Sequence, residues 1–153
     1  MPEPRVLAIR AFTAFHRLVF RATNGRIGSS GFGMPVLELT TVGRRSGARR
    51  STMLTSPVQD GDTLVLVASY GGRDHHPAWF LNLRDNPDVD VTMQGRVRPM
   101  RARVATAGEK VELWPRVVEA YRGYAQYQTR TERDIPLVIV EPRPTEETPH
   151  RSP

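Results

Sequence analysis

The chain has 153 residues and contains no cysteine. Thiolate catalysis, iron–sulfur clusters and the usual zinc fingers all require cysteine, so its absence excludes them and fits a reducing compartment. Long apolar runs are missing as well, since no segment approaches the roughly 20 apolar residues of a membrane span. Arg10, Arg17 and Arg21 interrupt the first apolar stretch, unlike in a plain secretory signal. We therefore expect a cytoplasmic protein.

Three familiar kinds of site are also missing. No G-x-S-x-G elbow and no recognisable set of serine, histidine and acid point to a hydrolase. The glycine-rich residues 24–35 end in Met-Pro, where a phosphate-binding P-loop needs lysine and then serine or threonine. His75 and His76 are adjacent, so their side chains point apart, and they have no clear carboxylate partner. We therefore predict no hydrolase triad, no P-loop and no metal site.

Positive charge is concentrated in the first third of the chain. The net charge is +6, from 22 basic and 16 acidic residues, and residues 1–50 contain nine arginines but only Glu3 and Glu38 as acids. Lys110 is the single lysine. A planar guanidinium binds phosphate or carboxylate through paired hydrogen bonds, so the pattern favours an anionic ligand. Coding bias towards arginine explains the pattern equally well.

The length and composition indicate one globular domain. Residues 5–22 predict a helix with a basic stripe, which either packs on the core or rests on an anionic membrane surface. After residue 35 the pattern changes to short β segments separated by tight turns. The predicted strands are residues 36–42, 51–58, 63–70, 89–94, 97–106 and 135–141. Because tight turns join antiparallel strands, we expect a mainly β fold, a barrel or a sandwich.

Two helices interrupt these strands. Residues 77–84 begin with proline, which is favourable at the first helical position. Thr106 and Glu109 form a capping-box pair that opens a second helix, and Pro115 is expected to kink or divide it. Pro99 cannot donate a ladder hydrogen bond, so we expect its strand at a sheet edge or bulged at that residue.

The most distinctive local feature is the segment GRRSGARR at residues 43–50. It places four arginines and no acid in a turn between two predicted strands. Such a cluster is unfavourable unless solvent or an anion lies between the guanidinium groups, and the glycines allow backbone N–H groups to approach the same anion. The segment predicts either a site for a phosphorylated or polycarboxylate ligand or a solvated hairpin tip. Aromatic residues are not interleaved with these arginines, so we expect no nucleic-acid partner.

Two further segments carry candidate ligand-facing groups. In residues 68–79 a strand ends, two glycines turn the chain and a helix begins. This segment either forms a polar edge beside a flat ligand or is an ordinary strand-to-helix turn. Tyr121, Tyr124 and Tyr127 recur every third residue, so on a helix they lie near one another. They either line a pocket for a flat organic molecule or contribute to the core.

Four motifs follow one another along the chain. They are L-E-L-T-T-V-G-R-R-S-G-x-x-R at 37–50, A-S-x-G-G at 68–72, H-P-A-W-F-L-N-L-R-D-N-P at 76–87, and Y-x-x-Y-x-x-Y followed by D-I-P at 134–136. Together they resemble the deazaflavin-dependent nitroreductase family. The resemblance implies a split β-barrel like that of FMN-binding flavin reductases, with antiparallel strands, peripheral helices and an N-terminal helix. It also implies coenzyme F420, a two-electron hydride carrier with a phosphate and an oligoglutamate tail.

The resemblance also assigns residues to a site. The implied coenzyme-binding residues are Arg44, Arg45, Ser46, Gly47, Arg50, Ser69, Tyr70, Gly71, Gly72, Ala78 and Trp79. The implied catalytic residues are Tyr124, Tyr121 and Tyr127, and Tyr124 ranks first as the proton donor. Tyr70 is a departure, because the best-known nitroreductase branch has lysine at this position. We divide the chain into a basic helix with its connector at 1–30, a deazaflavin-binding barrel at 31–142 and a disordered, proline-rich tail at 143–153.

These observations predict an F420H2-dependent oxidoreductase that transfers a hydride to a quinone, a nitroaromatic or another activated acceptor. Two alternatives stay open. One is an FMN-binding flavin reductase on the same fold, and the other is a non-catalytic protein that binds F420, another anion or lipid. Any membrane contact would be peripheral, through residues 5–22 at the inner face.

Overall fold

The computed structural model describes residues 30–31 and 33–144, and the predictions for residues 5–22 and 145–153 lie outside these ranges. The strands within them are β1 (Ser30–Gly31), β2 (Met34–Val42), β3 (Arg49–Thr55), β4 (Val58–Asp60), β5 (Thr63–Val67), β6 (Asp88–Met93), β7 (Arg96–Val104) and β8 (Leu137–Pro142). The helices are α1 (Ala78–Asp85), α2 (Ala107–Ala120) and α3 (Gly123–Thr129), and a 3-10 turn covers Tyr70–Gly72. None of these helices is both long and apolar enough to cross a bilayer.

The strand pairs are all antiparallel, as predicted. The sheet runs in the order β3, β2, β6, β7, β8, β5 and β4, and β1 pairs with the start of β2. No ladder within the described ranges joins β3 to β4. The buried Ser56, between β3 and β4, is bonded to the strands on either side instead. Its N–H donates to Pro35 O of β2 (3.0 Å), and its Oγ shares one proton between Val58 O of β4 and Val65 O of β5 (2.9 Å each). The predicted split barrel is confirmed.

Helices cover both faces of this sheet. Successive side chains of a strand point to opposite faces, and β5 is buried on both. Leu64 and Leu66 join the apolar cluster on which α1 packs through Phe80. Val65 and Val67 join a second cluster that contains residues of α2 and α3. β5 thus contributes to both clusters. The segment after it, residues 68–77, leads to α1 on one face and contacts α3 on the other face.

The long predicted strand at 51–58 is in fact two strands. β3 ends at Thr55 and β4 begins at Val58, because Pro57 has no N–H to continue a ladder. The strand predicted at 63–70 ends at Val67, where the 3-10 turn approaches.

The helix that opens at Thr106 has the predicted capping box. Glu109 N donates to Thr106 Oγ1 (3.2 Å), and Thr106 N donates to Glu109 Oε1 (3.0 Å). Of the two outcomes expected for Pro115, a kink or a division, the structure excludes the division, because α2 continues through this residue to Ala120.

The predicted edge position of the strand containing Pro99 is wrong, because β6 and β8 flank β7. Pro99 nevertheless lies beyond the ladder with β8, which begins where Met100 faces Pro142. The N and C=O of one residue point to the same side of a strand, and Pro99 O accepts from Arg143 N (3.3 Å) on the β8 side. The missing N–H of Pro99 therefore falls where the β8 ladder has ended.

The ordered domain extends past residue 142. Arg143 donates to Met100 O (3.0 Å), to Val89 O (3.1 Å) and to Asp90 Oδ1 (3.1 Å). These bonds fasten the end of β8 to β6 and β7. Arg143 therefore belongs to the barrel and not to the predicted disordered tail.

Candidate functional site

The basic segment at 43–50 forms the connection between β2 and β3. Gly43 N donates to Ala48 O (2.7 Å) and Gly47 N donates to Gly43 O (2.8 Å), which closes the turn. Gly47 has a φ of +71°, a conformation that favours glycine. Ser46 Oγ accepts from Ala48 N (3.1 Å). The turn is thus held by its own backbone, and its arginine side chains are not needed to form it.

A buried amide fixes this turn to α1. Asn82 is 5% exposed, and its Oδ1 accepts from Arg44 N (3.2 Å) and from Arg44 Nη1 (3.3 Å). Its Nδ2 donates to Thr41 Oγ1 (3.2 Å) at the end of β2. Asn82 is not among the predicted site residues, although an amide between two apolar residues of a helical motif is a usable signal. Asn82 therefore sets the position of Arg44 relative to α1.

The two arginines at the start of β3 point to opposite faces of the sheet. Arg50 lies opposite Thr41 and Arg49 lies opposite Val42, and side-chain direction alternates along a strand. Arg49 is paired with Asp90 of β6, and Asp90 also accepts from Arg143. Arg45 and Arg50 are exposed and have no acidic partner within residues 33–144. Of the four arginines of this turn, all of them within the described residues, Asp90 therefore neutralises Arg49 alone. The other three, which are the predicted binding residues Arg44, Arg45 and Arg50, are available to an anion.

The turn at Tyr70–Gly72 has a left-handed backbone that is strained at Tyr70. Its three residues have φ values of +45°, +65° and +81°, the first of them at a tyrosine. A positive φ is uncommon outside glycine and is a feature of constrained sites. The ring of Tyr70 packs edge-on against His75 (5.4 Å between centroids) and lies under the guanidinium of Arg73 (5.4 Å). Neighbouring side chains thus support the positive φ of Tyr70.

Gly72 lies against the backbone of α3. A Cβ at this residue would be 2.6 Å from Tyr127 O and 3.1 Å from Tyr127 Cα. Only glycine permits this approach, so Gly72 brings the turn into contact with α3, the tyrosine helix that carries Tyr124 and Tyr127. The resemblance places Gly72 beside a coenzyme ring, and the structure adds this packing contact on the side where a Cβ would point.

Ser69, Ala78 and Trp79 lie on either side of this turn. Ser69 is 7% exposed, and its carbonyl accepts from Gly72 N (2.9 Å). Ala78 is exposed at the first position of α1, and Trp79 is half-buried against the cluster that α1 covers. The turn and the start of α1 therefore follow each other directly along the chain, which is compatible with both predicted alternatives, a polar edge beside a flat ligand and an ordinary strand-to-helix turn.

The three tyrosines form one aromatic cluster, as their spacing predicted. Ring centroids are 5.2 Å apart for Tyr121 and Tyr124, 6.2 Å for Tyr124 and Tyr127, and 6.4 Å for Tyr121 and Tyr127. Gly123 makes room for this arrangement, because a Cβ there would lie 2.4 Å from the ring of Tyr121.

The three phenols differ in environment. Tyr124 is 6% exposed in the core, and its Oη lies 3.2 Å from Thr55 Oγ1. Burial raises the pKa of Tyr124. Tyr121 and Tyr127 are only half-buried. Burial and a hydrogen bond to Tyr121 raise the pKa of Tyr127 to about 12, so this phenol keeps its proton at neutral pH.

The three candidate segments are joined through two contacts. Asn82 links the basic turn to α1, which begins directly after residues 68–77. Gly72 then links that segment to the tyrosine helix. No cluster of three or more potential metal ligands occurs in the part of the chain that the structure describes. The arrangement offers cations at one end, a backbone turn in the middle and phenols at the other end.

Comparisons with known proteins point to one family. A family model described as F420H(2)-dependent quinone reductase matches residues 11–142. A putative F420H(2)-dependent quinone reductase of Mycobacterium tuberculosis, Rv3178, is 39% identical over 110 residues, covering 72% of this chain and 92% of that protein. The F420H(2)-dependent quinone reductase Rv1261c of the same organism is 37% identical over 129 residues, covering 82% and 86%. The solved structure of the F420-H2 dependent reductase FDR-A superposes with a TM-score of 0.63 at 41% identity, over 70% of this chain and 94% of that chain.

The match to the family model spans most of the chain and includes every candidate segment. The resemblance to deazaflavin-dependent enzymes is confirmed, and the coenzyme of this family is F420 rather than FMN. The donor set fits such a coenzyme, since arginines without acidic partners suit its phosphate and carboxylates. The chain belongs to the F420H2-dependent quinone reductase family.

Proposed function

We propose that this protein reduces a quinone by direct hydride transfer from F420H2. The observation that carries the proposal is the pair of exposed arginines, Arg45 and Arg50, without acidic partners in residues 33–144. They lie on a turn that Asn82 fixes to α1, and Asp90 already neutralises the intervening Arg49. A ligand that carries several negative charges therefore meets a receptor that is formed before it binds.

Each part of the site has a separate role in this proposal. Arg44, Arg45 and Arg50, with Ser46 and the backbone at Gly47, bind the phosphate and the carboxylates of the coenzyme. The ring lies along Ser69, Tyr70, Gly71 and Gly72, with Ala78 and Trp79 packed near it. The bound coenzyme supplies a hydride. The protein holds donor and acceptor side by side and excludes water between them.

The tyrosines face the acceptor in this proposal. Hydride transfer to a quinone leaves negative charge on an oxygen, and a hydrogen-bond donor at that oxygen lowers the barrier. Tyr121 and Tyr127 are suited to this role because they are half-buried, and Tyr127 keeps its proton at neutral pH. Tyr124 is less suited, since its side chain is almost fully buried in the core. We therefore place Tyr121 and Tyr127 ahead of Tyr124 as donors.

Single Tyr→Phe variants separate these roles. Tyr121→Phe and Tyr127→Phe are expected to lower kcat by about 10- to 100-fold, since each removes a donor to the developing charge. Tyr124→Phe is the matched control and is expected to keep kcat within about threefold while losing about 1 kcal/mol of stability. Steady-state kinetics and urea unfolding measure both quantities. A large loss of kcat confined to Tyr124→Phe would restore it to first place.

Fluorescence titration with oxidised and reduced F420, followed by addition of menadione, tests the function itself. We expect micromolar or tighter binding, then oxidation of F420H2 that depends on the quinone. A nitroaromatic in place of menadione tests the wider acceptor range. Binding without oxidation by any acceptor would indicate a carrier, and an FMN spectrum in the purified protein would indicate a flavin reductase. Either result would reject the proposal.

Residues 5–22 lie outside the described ranges, and their contact with a membrane is a separate proposal. Its support is the basic stripe of that segment, which suits an anionic lipid surface. Sedimentation with anionic vesicles, compared with neutral vesicles, tests it.

A further inference from the structure

Arg133 lies between α3 and β8 and contacts the segment that precedes α1. Its Nη2 donates to Ala68 O (3.2 Å) and to Ser69 O (2.8 Å), and its Nε donates to Arg73 O (2.7 Å). Its Nη1 lies 3.2 Å from His76 Nδ1. One side chain thus holds both ends of the Tyr70–Gly72 turn. These partners are 57 to 65 residues away in sequence, and no sequence motif pointed to them.

Arg133 is itself fixed to the tyrosine helix. Gln128 of α3 donates from Nε2 to Arg133 O (2.8 Å) and accepts from Ile135 N at Oε1 (3.0 Å). On the far side, Lys110 of α2 donates to Ile135 O (2.7 Å). The backbone at Arg133 is therefore fixed to α3, and the guanidinium of Arg133 connects α3 to the turn.

The turn needs such an external hold. The φ of +45° at Tyr70 is unfavourable for a residue with a side chain, and such a conformation persists only where the surroundings enforce it. Gly71 and Gly72 adopt their positive φ values without strain, but they lose the most conformational freedom when they are ordered. Its own backbone contributes only the bonds from Gly72 N to Ser69 O (2.9 Å) and from Arg73 N to Tyr70 O (3.3 Å). Arg133 binds carbonyls at both ends of these two bonds, at Ser69 and Arg73.

His76 completes the contact as an acceptor. Burial, together with the charges of Arg133, Arg84 and His75, lowers the pKa of His76, so its ring is neutral at physiological pH. A neutral ring can accept at Nδ1 from the Arg133 guanidinium. Arg133 thus has an acceptor for each of its three nitrogens on the side of the turn, and a lysine could serve only some of them.

We propose that Arg133 is a positioning residue that holds the Ser69–Arg73 turn at a fixed distance from α3. It thereby fixes the turn proposed to contact the coenzyme relative to the tyrosines proposed to face the acceptor. It touches neither ligand in this role. The effect on binding rests on the proposed function, whereas the effect on the turn does not. A loosened turn pays an ordering cost when a ligand binds, so it binds that ligand more weakly.

Amide hydrogen exchange of the coenzyme-free protein tests the effect on the turn. In Arg133→Gln we expect the Gly72 and Arg73 amides to exchange at least about tenfold faster, while amides of β6 and β7 keep their protection. Arg133→Lys retains the charge and is expected to give an intermediate rate. Arg116→Gln is the control, because Arg116 of α2 binds the exposed Asp60 of β4 and forms no hydrogen bond with the turn within residues 33–144. Its turn amides should exchange as in the wild type.

Coenzyme titration supplies the second readout. Arg133→Gln is expected to raise the dissociation constant of F420 by about tenfold, and Arg133→Lys by less. If Arg133→Gln does not fold, Arg133→Lys carries the test alone through the exchange of the same two amides. Unchanged exchange at Gly72 and Arg73 in a folded Arg133 variant would overturn the proposal. Faster exchange in a protein that does not oxidise F420H2 would support it and reject the proposed function instead.

Discussion

An alanine at Gly72 is expected to lower the free energy of unfolding by about 2–5 kcal/mol and to abolish coenzyme binding. Two penalties combine at this residue. The φ of +81° strains any side chain, and a Cβ would lie 2.6 Å from Tyr127 O. The obstructing atoms belong to the main chain of α3, so they cannot rotate away as the end of a flexible side chain could. The turn and the helix would have to separate, which moves Tyr127 away from the turn proposed to bind the coenzyme ring.

Urea unfolding and F420 titration measure the two effects, and Gly61→Ala is the matched control. Gly61 has a φ of +60° but no atom within 4 Å of its added Cβ, so only the conformational penalty applies. We expect Gly61→Ala to cost about 1 kcal/mol and to leave coenzyme affinity unchanged. If Gly72→Ala were no less stable than Gly61→Ala, the close contact between the turn and α3 would not exist in solution.

Local patterns predicted the features of this fold that depend on near neighbours. The capping box of Thr106 and Glu109 joins residues three apart, and the structure contains both of its hydrogen bonds. The proximity of Tyr124 and Tyr127 follows from their spacing on α3 in the same way, whereas Tyr121 lies in the connection between α2 and α3. The chain order of the motifs sufficed for the family, because those motifs span most of the matched region.

Features that depend on distant partners could not be predicted. Arg49 and Arg50 are chemically identical neighbours, and only the strand register reveals that Asp90, 41 residues away, neutralises the first of them. The register places Thr40 opposite Ser51 on one side and opposite Asp90 on the other, which puts Arg49 on the same face as that carboxylate.

The depth of a side chain is another feature that sequence spacing does not encode. Spacing alone makes Tyr121, Tyr124 and Tyr127 equivalent. The second apolar cluster, which draws on β5, β8 and both flanking helices, buries Tyr124 far more than the others. The sequence-based ranking of Tyr124 as first proton donor could not take this burial into account.

Removal of the Arg50 charge is expected to weaken F420 binding strongly. Arg50→Gln should raise the dissociation constant by about 10- to 100-fold, because a hydrogen bond to a charged group contributes about 1.5–3 kcal/mol. The exposed position of Arg50 makes part of this interaction sensitive to salt, so the ratio of mutant to wild-type constants should shrink as ionic strength rises. Fluorescence titration with oxidised F420 at low and high salt measures both effects.

Arg49→Gln distinguishes direct contact from diffuse attraction. It removes the same charge one residue away, but the Arg49 guanidinium is already paired with Asp90 and points to the opposite face of β3. If Arg50 binds the coenzyme directly, Arg49→Gln should change the dissociation constant by less than about threefold. Equal losses in the two variants would mean that the turn attracts anions only through its net charge. The coenzyme tail would then need a different binding site, because two arginines that face opposite sides of a strand cannot bind one ligand equally well.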